Sequence, residues 1–349
     1  MCSGNEPKPG LIASIKQVTD SRITAAFAIH QQVVEKVAAH VQDFFKQNIP
    51  YRIFHGSSNS TRPRSSTPSV DISSLSHVLY VNQAERYALV EPNVPMDRLV
   101  EETVCYGLVP PVVMEFPGIT AGGGFSGTSG ESSSFRHGFF NENVEEVEIV
   151  LGNGELVRAS KDERSDLFQG AGGALGTLGI VTLMKVRLIE AKKYVHARYI
   201  RINGVGNTVE RIKNMTSTTD AEYLDGIVYS NQHSVIITGS PVNELPEGTS
   251  LRTFSNAADP WFYMHVRHCT ESIDTDSIVE EYIPLAEYLF RYDRGGFWVG
   301  EQGYTYFKCI PFNRFFRWLL DDFSHTRTLY HALHSSGIAS QFVIQDITV

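Results

Sequence analysis

The stretch that decides the fold is the glycine-rich segment Phe116-Pro-Gly-Ile-Thr-Ala-Gly-Gly-Gly-Phe-Ser-Gly-Thr-Ser-Gly-Glu-Ser-Ser-Ser-Phe-Arg-His-Gly138. Glycine lacks a Cβ atom, so several backbone amides of such a segment can point into one concavity and a ligand can approach them closely. Interleaved hydroxyl side chains, such as those of Thr120 and Thr128, add hydrogen-bond donors. The segment therefore predicts a loop that cradles an anion of the pyrophosphate type.

The spacing of these glycines disfavours two common nucleotide sites. No Gly-Lys-Ser/Thr follows them, and no strand leads directly into a G-x-G-x-x-G that opens a helix. A phosphate loop for a nucleoside triphosphate and a Rossmann dinucleotide site both lose support for that reason. The alternative without any ligand is a tight surface loop, since glycine clusters also occur where no function is present.

A second glycine cluster, Gly170-Ala-Gly-Gly-Ala-Leu-Gly-Thr-Leu-Gly179, follows a predicted polar turn at 165–168. Two such clusters separated by a hairpin suggest opposite sides of one extended ligand. The residues predicted to bind it are Pro117, Gly118, Ile119, Thr120, Gly122, Gly123, Gly124, Gly127, Thr128, Gly130, Glu131, Ser133, Ser134 and Gly138 in the first segment, and Gly176, Gly179 and Ile180 in the second.

Composition excludes several function classes. The 349 residues and 42% hydrophobic content suffice for two domains with cores of their own. A net charge of −9 argues against nucleic acid as a partner, because a phosphate-backbone binder needs a basic face. Four scattered cysteines favour a reducing compartment, and we predict a cytoplasmic protein. The N-terminal sequence lacks the apolar run of a signal peptide, and no window predicts a membrane span.

Hydrophobic periodicity predicts an α+β chain. Apolar residues at helical spacing predict an amphipathic helix over 21–48, and a second, shorter helix is predicted from Pro95 to Gly107. Short β-type runs, a hairpin around Gly152-Asn153-Gly154 and a β-rich run at 178–189 complete the first half, with a Ser/Thr/Pro-rich loop at 57–69. The aromatic content rises after 191–193, which predicts domains at 1–190 and 191–349.

Several stretches resemble one known family. The glycine segment resembles the FAD-binding domain of the vanillyl-alcohol oxidase and p-cresol methylhydroxylase (PCMH) type. Its ending Gly-Glu-Ser-Ser-Ser, together with the stretches at 87–92, 151–159 and 165–168, resembles the delta(24)-sterol reductases. Motifs of the second half extend the resemblance to that branch; they lie at 191–195, 225–230, 260–262, 281–284 and 297–298.

The resemblance implies a fold and a chemistry. The fold would be a two-subdomain, PCMH-type FAD-binding domain followed by an α+β substrate cap, incomplete at its C-terminus. FAD would be bound noncovalently, since Asn59 or Ser60 stands about where related oxidases carry a flavin-linked histidine. NADPH would reduce the flavin, and the 24,25 double bond of a sterol side chain, or a related isoprenoid alkene, would be reduced in turn. The membrane helix of the animal and plant enzymes has no counterpart here, which leaves peripheral contact with the endoplasmic reticulum.

Three residues are candidate catalytic groups. Tyr292, then Tyr229 and Glu222, carry a phenol or a carboxyl that can donate a proton to a developing carbanion. The aromatic run from Tyr288 to Trp318 is a candidate sterol pocket, although aromatic residues at this density mostly fill cores. The histidines form no metal-binding spacing, so we predict no metal. Two other functions stay open: a flavin-dependent oxidase or oxidative cyclase acting on a terpenoid or alcohol, and a flavin-binding protein without turnover.

Overall fold

The computed structural model describes residues 21–56, 66–307 and 310–336, and these form an α+β structure, as predicted. The helices are α1 Ser21–Lys46, α2 Met96–Val104, α3 Ala121–Gly127, α4 Ser134–His137, α5 Ser165–Ala171, α6 Val205–Thr218, α7 Phe262–Thr270, α8 Leu285–Leu289, α9 Trp298–Phe307, α10 Arg314–Leu319, α11 Asp321–Ser324 and α12 Thr326–Ser336. The strands are β1 Arg52–Phe54, β2 Ser69–Asp71, β3 Val78–Asn82, β4 Tyr87–Val90, β5 Leu108–Val109, β6 Val144–Val150, β7 Leu156–Ser160, β8 Ile180–Arg187, β9 Ile189–Glu190, β10 Tyr194–Ile202, β11 Tyr223–Ser230, β12 His233–Val242 and β13 Ile278–Pro284.

The first half is built on a five-stranded antiparallel sheet of order β3-β4-β8-β6-β7. Two small sheets accompany it: β1 pairs with β2 in parallel, and β5 pairs with β9 antiparallel. The predicted hairpin at 152–154 joins β6 to β7, where Gly154 has a φ of +86° and its amide donates to the carbonyl of Leu151. This turn therefore follows the local sequence signal.

Helix α1 packs on this sheet through one face. Its buried residues Phe27, His30, Val34, Val37 and Val41 recur every three or four positions, as an amphipathic helix requires. The helix predicted over 21–48 is confirmed, with its end at Lys46. Among the described residues, no helix combines the length and apolar character needed to cross a bilayer.

The second half is built on a four-stranded antiparallel sheet of order β11-β12-β10-β13. Its aromatic residues largely fill the core: Trp261, Phe262, Tyr263 and Tyr288 are all at most 1% exposed. One hydrophobic cluster contains residues of both sheets, from Ala88 to Tyr292. The division at residue 190 falls in the short link between β9 and β10 and stays a prediction.

Two predictions of local structure were wrong. Residues 121–127, predicted as loop, form helix α3, and the predicted polar turn at 165–168 is the first turn of helix α5. Glycine is a poor helix former, so local propensity favours a loop over 121–127. Thr120 caps α3 by accepting a hydrogen bond from the amide of Gly123 (3.2 Å), and tertiary packing supplies the remaining stabilisation. The Ser/Thr/Pro-rich loop, with Asn59 and Ser60, lies largely outside the described residues.

Candidate functional site

Helix α3 is fitted closely to its surroundings on one side. A Cβ atom at Gly122 would lie 2.7 Å from the Cβ of Pro92 and 2.9 Å from its carbonyl oxygen. At Gly124 it would lie 2.4 Å from the terminal methyl of Met114. Real Cβ atoms are not found at such distances from backbone atoms, so Gly122 is required for packing whether or not a ligand binds. At Gly124 the flexible end of the Met114 side chain would have to move.

The opposite side of α3 carries almost no side chains. Gly123 and Gly127 are both exposed, and a Cβ at Gly127 would meet no atom within 4 Å. Thr128, which follows the helix, has a φ of +50°, and its hydroxyl donates to the carbonyl of Gly127. The bare face lets a flat or extended ligand approach the backbone closely.

The second glycine segment lies directly against α3. The amide of Gly173 donates to the carbonyl of Phe125 (3.2 Å), and that of Leu175 donates to the carbonyl of Ser126 (3.0 Å). Gly173, Leu175 and Gly176 have φ values of +81°, +52° and +77°. The two segments were predicted to flank a ligand from opposite sides, but their hydrogen bonds place them side by side. They form one continuous glycine surface, and several of its amides are already used within the protein.

The other predicted cofactor residues of the first segment mostly support neighbouring backbone. The carbonyls of Ile119 and Pro117 accept from the first amides of α2, at Met96 (2.9 Å) and Asp97 (3.3 Å). In an isolated loop these carbonyls would have no such partners, and the same residues could bind a ligand instead. Gly118 is buried beside them. A cofactor role for Pro117, Gly118 and Ile119 stays a prediction.

The end of the first segment is also bonded internally. Glu131 Oε1 accepts from the amide of Glu115 (2.9 Å), and the amide of Glu131 donates to Ser134 Oγ (2.8 Å). Ser133 is buried and its hydroxyl donates to the carbonyl of Pro111 (2.8 Å). The further predicted contacts in this region are Gly130, whose Cβ would meet the ring of Phe139 at 2.8 Å, and Gly138, which has a φ of +73°.

The last predicted residues lie where β8 begins. A Cβ at Gly176 would lie 2.8 Å from the Cδ1 of Ile53 on β1, and one at Gly179 would lie 2.7 Å from the carbonyl oxygen of Val150. Ile180 is 1% exposed and pairs with Val150. The glycine surface therefore extends from α3 towards strand β1.

The proton-donor candidate Tyr292 belongs to a buried polar cluster. Its ring is 2% exposed and stacks on Phe297 at 3.9 Å, and its hydroxyl donates to Asp225 Oδ2 (3.3 Å). Burial, followed by the charge of Asp225, raises the pKa of the Tyr292 phenol well above its usual range. This phenol is therefore protonated at neutral pH.

Sequence reasoning missed the two charged members of this cluster, Arg291 and Asp225. Arg291 Nη2 lies 2.5 Å from Asp225 Oδ2 and 3.5 Å from Ser132 Oγ of the glycine segment. Its guanidinium carbon also lies 4.2 Å from the ring centroid of Tyr288. The dipeptide Arg291-Tyr292, just after the short helix α8, carries no local sequence signal for this arrangement. Only the approach of β11 to the glycine segment brings Asp225 beside them.

Tyr229 and Glu222 also lie on or beside β11, but each has another partner. The Tyr229 hydroxyl donates to the carbonyl of Tyr263 (2.5 Å), and burial raises the pKa of its phenol. Glu222 Oε1 lies 2.5 Å from His137 Nε2 at the end of α4. Only Tyr292, among the three candidates, contacts the Arg291–Asp225 pair.

Two surface cavities, of about 630 and 620 Å³, lie elsewhere. Charged side chains dominate both linings; the first includes Glu146, Lys161 and Arg187, and the second includes Asp97, Arg98 and Arg327. No predicted cofactor or catalytic residue lines either cavity, so we do not assign the chemistry to them. Among the described residues, no three His, Cys, Asp or Glu side chains are grouped as metal ligands would be.

Comparison with known proteins identifies the class. Residues 25–160 match the family "FAD binding domain". They include most of α1, four of the five strands of the first sheet (β3, β4, β6 and β7) and the whole first glycine segment. Delta(24)-sterol reductases from Macaca fascicularis and Homo sapiens are each 30% identical to the chain over 311 residues, 85% of this chain and 57% of theirs. Cytokinin dehydrogenase 9 from Oryza sativa subsp. japonica is 31% identical over 139 residues, 40% of this chain and 27% of its own.

The chain therefore carries this FAD-binding domain. Over 85% of its length it is similar to delta(24)-sterol reductases, the family that the motifs of its second half resemble. The chain spans 57% of the length of the mammalian relatives it matches.

Proposed function

We propose that this protein binds FAD noncovalently along the glycine surface formed by α3 and residues 172–179. The observation that carries the proposal is the bare face at Gly123 and Gly127, hydrogen-bonded to a second glycine segment and lying within the matched FAD-binding region. Ser126 lies on the same helix and would add a hydroxyl donor, while the Thr128 hydroxyl, which donates to Gly127, keeps lone pairs that could accept.

We further propose that the protein reduces a carbon–carbon double bond in a sterol side chain or a related isoprenoid. The names of its relatives support a 24,25 double bond as the target. Bound FAD would supply hydride transfer to one alkene carbon, with NADPH as the source of electrons. The second carbon then needs a proton, which the chain itself would have to provide.

The Tyr292 cluster supports such a proton supply. The phenol is protonated at neutral pH, Asp225 orients its O–H, and Arg291 keeps the carboxylate charge compensated within the protein. Asp225, with a side chain 22% exposed, is more accessible than Tyr292 or Arg291. We assign Tyr292 the role of proton source and the other two the role of positioning it.

The cellular location of the enzyme is part of the proposal. A sterol substrate is membrane-dissolved, so we place the protein in the cytoplasm in peripheral contact with the endoplasmic reticulum. The net charge of −9 supports a small-molecule substrate over nucleic acid.

The test is spectroscopic. The purified chain should show the visible absorption of a flavin, release it on denaturation, and lose the oxidised flavin band when NADPH is added without oxygen. A desmosterol-like alkene should then restore that band. A protein that takes up no FAD would overturn the proposal. One that binds FAD tightly, resists NADPH and consumes no oxygen would be a flavin-binding protein without turnover.

An oxidative reaction is the second candidate. The match to a cytokinin dehydrogenase over 139 residues supports it, because a dehydrogenase withdraws electrons from its substrate. An oxidase or oxidative cyclase acting on a terpenoid or alcohol would consume oxygen without NADPH. Oxygen uptake measured with and without NADPH separates the two directions.

A further inference from the structure

A buried histidine bridges two buried carboxylates beneath helix α1. His30 is 2% exposed, and its Nδ1 lies 2.7 Å from Oε1 of Glu91, the residue after β4. Its Nε2 lies 3.4 Å from Oε1 of Glu148 in the middle of β6. Glu91 and Glu148 are 2% and 4% exposed, so His30 joins α1 to two strands inside the protein.

The surroundings favour a protonated imidazole, because only the imidazolium can donate from both ring nitrogens. Burial lowers the pKa of His30, but the hydrogen bonds to Glu148 and Glu91 outweigh it and raise the pKa to about 9. The amide of His77 donates to the second oxygen of Glu91 (2.8 Å), and the hydroxyl of Thr182 donates to Glu148 (2.8 Å).

The other titratable groups near the bridge are accounted for. The half-exposed ring of His77 lies 3.2 Å from Glu91, on the carboxylate oxygen that His30 does not use. Strands β2, β3 and β6 contact α1 and carry the remaining titratable side chains. Asp71 on β2 is exposed, and Tyr80 lies on β3. On β6, Glu145 pairs with Lys185 and Glu146 pairs with Arg158. The two buried carboxylates therefore dominate the electrostatic environment of His30.

Glu91 also begins the backbone platform on which the glycine helix rests. Residues 91–94 are buried, and the carbonyl of Pro92 accepts from the amide of Gly122 (2.8 Å). The carbonyl of Val94 accepts from the amide of Ala121 (2.9 Å). A shift of Glu91 would therefore move the two carbonyls that hold the first turn of α3.

We propose that His30 is a positioning residue for the cofactor surface: its ionic bridge fixes Glu91 and hence α3, so FAD retention depends on the protonation of a histidine on α1. This inference rests on the proposed FAD site, and it adds a pH-sensitive link between that site and a helix that supplies none of the predicted cofactor contacts.

The first test measures FAD affinity against pH. The FAD dissociation constant of the full chain, followed by flavin fluorescence, should rise by about tenfold or more between about pH 6.5 and about pH 9.5, as the His30 proton is lost. His30→Gln should bind FAD more weakly and show no such rise. His77→Gln, which alters the half-exposed histidine on the same carboxylate, should keep the wild-type profile.

The second test does not use FAD. Amide hydrogen exchange is measured on the cofactor-free chain and corrected for the intrinsic pH dependence of exchange. Relative to the wild type, His30→Gln should exchange faster at both 21–46 and 121–127, and His77→Gln should not. FAD binding with a pH profile shared by wild type and His30→Gln would overturn the inference and leave the FAD site standing. A chain that binds no FAD would overturn the site, while exchange at 121–127 would still decide the link. If His30→Gln does not fold, the FAD dissociation constants of wild type and His77→Gln against pH decide the inference. It is overturned if they do not rise together towards about pH 9.5.

Discussion

At the scale of single residues, two glycines of α3 have opposite surroundings and therefore opposite expected effects. Gly122→Ala would press a methyl group against the backbone of Pro92, and we expect a loss of about 1–3 kcal/mol in the free energy of unfolding. Gly127→Ala adds a methyl group in open space, so stability should be unchanged or slightly raised while FAD affinity falls. Urea unfolding and flavin titration of both variants check this, and undiminished FAD binding by Gly127→Ala would count against the bare face as the site.

Tyr292 and Tyr229 allow a matched comparison of two phenols. Tyr292→Phe should lower the rate of alkene reduction by about 10²-fold or more without changing FAD affinity, because it removes the proposed proton source. Tyr229→Phe removes only a hydrogen bond to the carbonyl of Tyr263 and should leave the rate nearly unchanged. Single-turnover oxidation of the reduced flavin by substrate measures both. Equal rates in the two variants would remove Tyr292 from the mechanism.

At the scale of elements, the segment around α4 fastens the glycine region to the second sheet. Arg136 donates to the carbonyls of Ala221 (2.6 Å) and Thr219 (2.5 Å), and the amide of Leu224 on β11 donates to the carbonyl of Ser132 (2.8 Å). The contact also includes the His137–Glu222 pair. This docking brings Asp225 to the glycine segment.

We expect Arg136→Ala to lower the free energy of unfolding by about 1–3 kcal/mol, because it leaves two carbonyls without their charged donor. Arg211→Ala, on the exposed face of α6 against the same sheet, is the control and should change stability by less than about 0.5 kcal/mol. Denaturant unfolding measures both. If the two variants lose equal stability, the docking contact contributes little.

At the scale of the whole molecule, the His30 bridge predicts a pH dependence of global stability. The pKa of His30 is raised from 6.5 to about 9 in the folded protein, so the folded state binds this proton more tightly than the unfolded state. Its stabilisation is complete below about pH 6.5 and is lost as pH rises through about 9, a change of about 3 kcal/mol. Urea unfolding across this range should show that decline, and His30→Gln should reduce its slope. An unaltered slope in the variant would assign the decline to other groups.

The sequence predicted the elements whose signals are local. The apolar spacing of Val34, Val37 and Val41 specified α1, and Gly152-Asn153-Gly154 specified a hairpin turn, because periodicity and turn chemistry depend on neighbours in the chain. The glycine segment and the motifs after residue 190 likewise predicted the FAD-binding domain and the similarity to delta(24)-sterol reductases. These features need no knowledge of which segments meet in space.

Only the tertiary structure decided the rest. Helix α3 forms from residues of low helix propensity because the carbonyls of Val94 and Pro92 hold Ala121 and Gly122, and Met114 packs against Gly124. The pairing of Arg291 with Asp225, and of His30 with Glu91 and Glu148, joins residues 61 to 118 positions apart. Buried polar groups find partners wherever folding brings a complementary charge, and no local pattern encodes that choice. The sequence by itself determined the FAD-binding domain and the residue types available to the site. Long-range packing determined which side chains act together.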